Sequence, residues 1–142
     1  MPTKAQFKAL REMTGLSQQN IADALDVNLR TVKSWENPAR ETYKVPDYAW
    51  DYLKKVDDTQ AQQVSYMLGI VAKQVEEFGG DPALVPITYY RDQAMYYEFG
   101  RDDGPVGWPN AVARKVAYEL GRRGIAYEFR YPQEGAVLAR EN

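Results

Sequence analysis

Two short runs of apolar residues at helical spacing lie close together between residues 16 and 37. Ser17 and Asn28 precede them, and both residue types accept hydrogen bonds from the free amides of a helix's first turn. The break between the runs is Asp26-Val27-Asn28. The pattern therefore predicts two helices joined by a tight turn, with the small Ala22 at their crossing. The predicted buried positions are Ile21, Ala22, Leu25, Val27, Val32 and Trp35, with Leu29 either on this stripe or exposed.

Two further helices are predicted around this pair. The first covers Thr3 to Met13, turns Phe7, Leu10 and Met13 inward, and stops at Gly15. The other begins at Val45-Pro46-Asp47, since proline is tolerated in a first turn, and turns Ala49, Trp50 and Leu53 inward. Residues 1–56 are therefore predicted to form an all-α bundle around one small core.

Residues 57–142 show a different order of patterns. We predict a separate helix from Thr59 to Phe78, capped by Asp57-Asp58-Thr59, then a strand within 83–90 and a short helix over 92–99. A helix over 108–121 and a strand over 125–131 follow, and residues 132–142 are expected to fray. The β-α-α-β order favours parallel pairing. The alternation of Ile125, Tyr127, Phe129 and Tyr131 with polar residues predicts one buried strand face.

The first region resembles the Cro/C1-type (XRE) repressor domain over about the first 55 residues. The resemblance rests on Leu10-Arg11, Gly15-Leu16-Ser17-Gln18, Ile21-Ala22, Leu25, Val27, Arg30-Thr31-Val32 and Trp35-Glu36-Asn37. It implies a lambda-repressor-like helix-turn-helix whose second helix enters the DNA major groove. Asp26 stands where the family usually has glycine, and aspartate tolerates positive φ better than most residues.

The same resemblance suggests the residues that contact DNA. Base readout is expected from Asn28, Leu29, Arg30 and Ser34, and backbone contacts from Gln18, Thr31, Lys33, Asn37 and Arg40. The Arg30 guanidinium suits the O6 and N7 of guanine, and Leu29 suits a thymine methyl. The alternative for Arg30 and Lys33 is a solvated helix face. The completeness of the buried pattern favours DNA contact for Arg30 and leaves Lys33 balanced.

The second region is similar, more loosely, to YdiL-like and anti-CRISPR-associated regulators. The warrant is a strand, a tryptophan before a helix containing Ala117-Tyr118-Glu119-Leu120, and a second strand. That similarity implies a small α/β dimerisation domain in a repressor of its own promoter, and RNA binding in some relatives.

Charge and composition narrow the classes of function. Residues 1–55 carry nine Lys and Arg against seven Asp and Glu, whereas 56–142 carry nine against thirteen. A weakly basic first region argues for a few placed phosphate contacts. The chain has no cysteine and no histidine, which excludes zinc fingers, disulfides and imidazole bases. It also lacks an apolar run of membrane-spanning length and a signal peptide, so a cytoplasmic location without membrane contact is expected.

Other chemistries were weighed against DNA binding. Most of the eleven tyrosines lie in the second region and could stack single-stranded bases with Arg91, Arg101 and Arg130. The local acid excess instead favours core and dimer-interface roles. An enzyme would need carboxylates such as Asp102-Asp103, Glu76-Glu77, or Glu98 with Glu119, and adjacent acids are usually just solvated. No catalytic residue, cofactor or metal is therefore predicted.

The sequence thus predicts a sequence-specific DNA-binding regulator. One small domain reads too few base pairs for useful specificity, so a homodimeric repressor on an inverted repeat is expected. The alternative is an antitoxin-type protein whose second region binds a protein partner while the first autoregulates.

Overall fold

The computed structural model describes residues 2–80 and 84–135 and is mostly helical, with one small parallel sheet. The chain divides into two compact units, residues 1–59 and 60–142, called here the N-terminal and C-terminal units. Of the tail predicted to fray, residues 136–142 lie outside the described residues. Pro132–Glu134 form a short 3₁₀ turn.

The N-terminal unit contains three short helices and the start of a long one. These are α1 (Lys4–Met13), α2 (Gln18–Leu25), α3 (Leu29–Glu36) and α4 (Asp47–Phe78). Its core is built on aromatic edges: the Phe7 ring lies 5.9 Å from Trp35 and 5.3 Å from Trp50, both near-perpendicular. Ile21, Ala22 and Val32 are buried as predicted. Met13, predicted to face inward, is 60% exposed because it lies on the last turn of α1, beyond the helices that cover Phe7.

The predicted break between a fourth and a fifth helix is wrong. Helix α4 runs without interruption from Asp47 to Phe78, through Asp57-Asp58-Thr59. The Thr59 hydroxyl donates to the Lys55 carbonyl at 2.9 Å, one turn back, and so does not cap a new helix. Acidic and hydroxyl residues are tolerated inside a helix when their side chains are satisfied this way or exposed, and here they do not mark a domain boundary.

The C-terminal unit packs helices on a two-stranded sheet. Its further elements are β1 (Val85–Thr88), α5 (Gln93–Met95) with a π-helical turn at Tyr96–Gly100, α6 (Gly107–Arg122) and β2 (Tyr127–Arg130). The strands pair in parallel, as predicted, with Val85 opposite Tyr127 and Ile87 opposite Phe129. The core joins Val85 and Ile87 to the inner face of α6 and to α4. The α6 residues in it include Val112, Val116, Ala117 and Leu120, all predicted to face inward.

The predicted buried face of β2 is wrong. Tyr127, Phe129 and Tyr131 are each about 40% exposed. Their rings lie on the same sheet face as Val85 and Ile87, which are buried, because paired residues of a parallel sheet share a face. The Tyr127 ring lies beside Gly121 of α6, where an added Cβ would come within 3.7 Å of it. Strand β2 is therefore an edge strand that the core covers only in part.

Candidate nucleic-acid interface

Helix α3 is positioned by a three-residue connection from α2. Ser17 caps α2 through the Asn20 amide at 3.0 Å, and the Asn20 side chain accepts from the Ser17 amide in return. Asp26 ends α2 in the left-handed conformation, with φ 54° and ψ 49°. This confirms the positive φ expected where glycine is usual, and it lets the chain reverse within Asp26-Val27-Asn28.

The outer side of α3 carries polar and basic side chains. Asn28, Arg30, Lys33 and Asn37 are exposed, and Leu29 and Thr31 are partly buried. Asn28 occupies the N-cap position, yet its side chain makes no capping hydrogen bond. Within the described residues, the Arg30 and Lys33 side chains form no ion pair or hydrogen bond. Both cations of the helix are therefore available to an external anion.

Ser34 does not belong to this outer side, so its prediction as a base-reading residue is wrong. The residue is 6% exposed, and its hydroxyl donates to the Arg30 carbonyl at 3.0 Å. Its own carbonyl accepts from Lys4 Nζ of α1 at 2.7 Å. Helix α1 packs beside this turn of α3, which buries position 34 together with Trp35.

A buried ion pair holds the opposite side of α3 to α1. Arg11 Nε and Nη2 donate to the two carboxylate oxygens of Glu36 at 2.7 and 2.9 Å, and Arg11 Nη1 donates to the Leu16 carbonyl at 2.9 Å. Gln18 Nε2 donates to the same carboxylate at 3.1 Å. The side chains of Arg11 and Glu36 are only 9% and 4% exposed. Gln18, predicted to hold a phosphate, therefore starts α2 with its amide already oriented by Glu36.

Sequence reasoning counted neither Arg11 nor Glu36 among the functional residues. Arg11 stands four residues after Phe7, on the face of α1 that the apolar spacing turns inward. A charged residue at such a position needs a buried partner, and the only acid of the predicted α3 is Glu36. That signal would have found the pair.

Lys4 is a second positioning residue that was missed. Its Nζ lies within 2.7, 3.1 and 2.5 Å of the carbonyl oxygens of Ser34, Trp35 and Tyr43. Two of these carbonyls lie in the last turn of α3, which has no amide of its own helix to accept from. Desolvation lowers the pKa of Lys4 from its usual value. The ammonium ties the end of α3 to the loop that follows.

The two predicted backbone-contact residues after α3 lie in that loop. Asn37 Oδ1 accepts from the Ala39 amide at 2.9 Å, which turns the chain away from the helix. The Arg40 guanidinium lies over the Tyr43 ring, 5.4 Å from its centroid. Both residues are exposed. The loop thus brings a third cation near the end of α3.

The acidic residues considered for catalysis have structural partners in two cases. The Asp102 carboxylate accepts from the Gly104 amide at 2.7 Å, and Glu119 pairs with Arg122 at 3.2 Å. Among residues 2–80 and 84–135, no group of three or more acidic side chains is arranged to hold a metal ion. In the same part of the chain, every helix is too short or too polar to cross a membrane.

Comparison with known proteins adds no relative. No profile of a known protein family matches the chain, and no curated protein matches it.

Proposed function

We propose that this protein is a sequence-specific DNA-binding regulator, a homodimeric repressor that inserts α3 of each copy into the major groove. One observation carries the proposal. Helix α3 is anchored on its inner side by a core, a buried ion pair and Lys4, while Arg30 and Lys33 on its outer side have no partner within the described residues. A rigid helix with an unoccupied basic face fits the groove's dimensions.

Each outer side chain has a distinct role in this proposal. Arg30 grips O6 and N7 of a guanine with its planar fork, and Leu29 contacts a thymine methyl. Asn28, whose amide makes no capping bond, is free to read a base edge at the start of the helix. Gln18, Thr31, Lys33, Asn37 and Arg40 contact the backbone and set the register.

The requirement for two copies follows from size. The exposed face of α3 offers only Asn28, Leu29 and Arg30 to base edges, which is too few for specific recognition by one copy. A two-fold pair reading successive major grooves, about 34 Å apart, doubles the contacts and requires an inverted repeat.

Selection of binding sites from random duplex DNA tests the proposal. We expect enrichment of an inverted repeat with half-sites about one helical turn apart. On the selected site, Arg30→Ala should weaken binding by about 1–3 kcal/mol and relax the preference at one position of each half-site. Gln18→Ala should weaken binding to selected and random duplexes alike.

Lys54→Ala provides the matched control, because Lys54 is an exposed cation of α4 outside the proposed interface. Its affinity should equal that of the unmodified chain. Enrichment of no sequence, or an Arg30→Ala variant with unchanged affinity and preference, would refute the proposed function.

A further inference from the structure

The outer edge of β2 has unpaired backbone groups. The Val85 amide donates to the Ala126 carbonyl and the Tyr89 amide to the Arg130 carbonyl, both at 2.9 Å. In a parallel ladder, alternate residues of a strand bond to the same neighbour, so residues 126, 128 and 130 face β1. The amides and carbonyls of Tyr127 and Phe129 therefore point away from β1. They have no hydrogen-bond partner within residues 2–80 and 84–135.

The two edges of the sheet differ in their capacity to pair. By the same alternation, Pro86 faces the outer edge of β1, and proline has no amide hydrogen to donate there. Residues 127–130 contain no proline, lysine or glycine, the features that usually protect an exposed edge. The aromatic rings of Tyr127 and Phe129 lie half-exposed along the same edge. Only the β2 edge therefore has both the free backbone groups and the apolar surface that added pairing uses.

We infer that a second copy of this chain pairs antiparallel along β2, centred on Phe129, to give a four-stranded sheet across a two-fold axis. This inference rests on the homodimer in the proposed function. The occupant is argued from charge: pairing centred on Phe129 places Glu128 opposite Arg130 of the other copy, and Arg130 opposite its Glu128. Centring the axis on either neighbour would place two glutamates or two arginines face to face, which is destabilising.

The pairing also satisfies the free groups. Two Phe129 residues on the axis exchange both amide-to-carbonyl hydrogen bonds, as directly opposed residues of an antiparallel ladder do. The ladder is short, because Tyr131 already donates to the Glu134 carboxylate at 2.9 Å and accepts from the Glu134 amide at 2.8 Å. The apolar contribution comes from the rings of Tyr127 and Phe129, which lie 5.6 Å apart and continue one aromatic surface to Tyr89.

Charge reversal tests this arrangement. Glu128→Arg and Arg130→Glu each place two like pairs across the axis, and the dimer dissociation constant in sedimentation equilibrium should rise roughly 30-fold. Each variant also breaks the Glu128–Arg130 pair within its own strand, which lies at 2.8 Å. Mixing the two variants separates these effects, since the within-strand pair stays broken while both cross-strand pairs become opposite in charge. The mixture should form heterodimers with near wild-type affinity.

Cross-linking gives an independent measurement. The chain has no cysteine, so Phe129→Cys introduces a single thiol. Directly opposed Cα atoms in such a pair lie about 5.5 Å apart, within the range that a disulfide spans. Mild oxidation should give a covalent dimer in high yield. Arg123→Cys, at an exposed site beyond the end of α6, should give little.

Each failure has its own signature. A wild-type chain that sediments as a monomer, or single reversal variants that dimerise normally, overturns the pairing. Mixed variants that stay monomeric, or equal cross-linking at the two cysteine sites, does the same. A dimer that behaves as expected here but selects no DNA sequence refutes the proposed function and leaves the pairing standing.

Discussion

The buried pair of Arg11 and Glu36 makes a quantitative prediction about the N-terminal unit. Arg11→Met leaves a buried carboxylate with only the Gln18 amide, and Glu36→Leu leaves a buried guanidinium with only the Leu16 carbonyl. Removing one partner of a buried pair typically costs about 3–5 kcal/mol, because the other charge stays desolvated. Since a small domain is stable by about 5–15 kcal/mol in all, either change removes a large share.

The double variant Arg11→Met/Glu36→Leu should be much more stable than either single one. Two apolar side chains of similar volume leave no buried charge, and such replacements are often close to neutral. We expect its free energy of unfolding to lie within about 2 kcal/mol of the unmodified chain. The coupling between the two changes should therefore exceed about 3 kcal/mol, well above what exposed pairs give.

Urea denaturation followed by tryptophan fluorescence measures these values. Trp35 and Trp50 lie in the N-terminal unit and Trp108 in the other, so a Trp108→Phe background confines the signal to the first. Lys8 and Glu12 supply the control: their pair, at 3.0 Å on the same helix, is 50% and 56% exposed. Lys8→Met should change stability by less than about 0.5 kcal/mol. Single variants of Arg11 and Glu36 that lose as little, or additive losses in the double variant, would refute the reasoning.

Three further changes are tested by the same urea titration. Lys4→Met should lower the stability of the N-terminal unit by about 1–3 kcal/mol, because carbonyls at the end of α3 lose a charged donor. Asp26→Gly should raise it by up to about 1 kcal/mol and Asp26→Ala should lower it, since φ is 54° there. Asn110→Leu should destabilise the C-terminal unit by about 2–4 kcal/mol, read through Trp108, because both Tyr90 backbone groups lose their partner at 2.8–2.9 Å. No change in any of these would contradict the contact it removes.

Local patterns predicted most of the helices. The capping of α2 by Ser17, the left-handed Asp26 and the inward face of α6 all depend on residues within one or two turns of each other. Such short-range preferences are present in the sequence itself, because a helix repeats its face every three to four residues. The parallel strand order followed from the helices between the strands.

The contradicted expectations concern contacts between segments far apart in the chain. Ser34 lies on a helix whose polar side the periodicity describes correctly, yet α1 covers it thirty residues away through Lys4. The exposure of Phe129 depends on how far α6 reaches across a sheet of only two strands, which its alternating pattern does not state. The sequence by itself determined which faces are apolar and where most helices begin. Only the tertiary structure decided which of those faces are covered and which charges meet, because burial depends on what other segments pack against a residue.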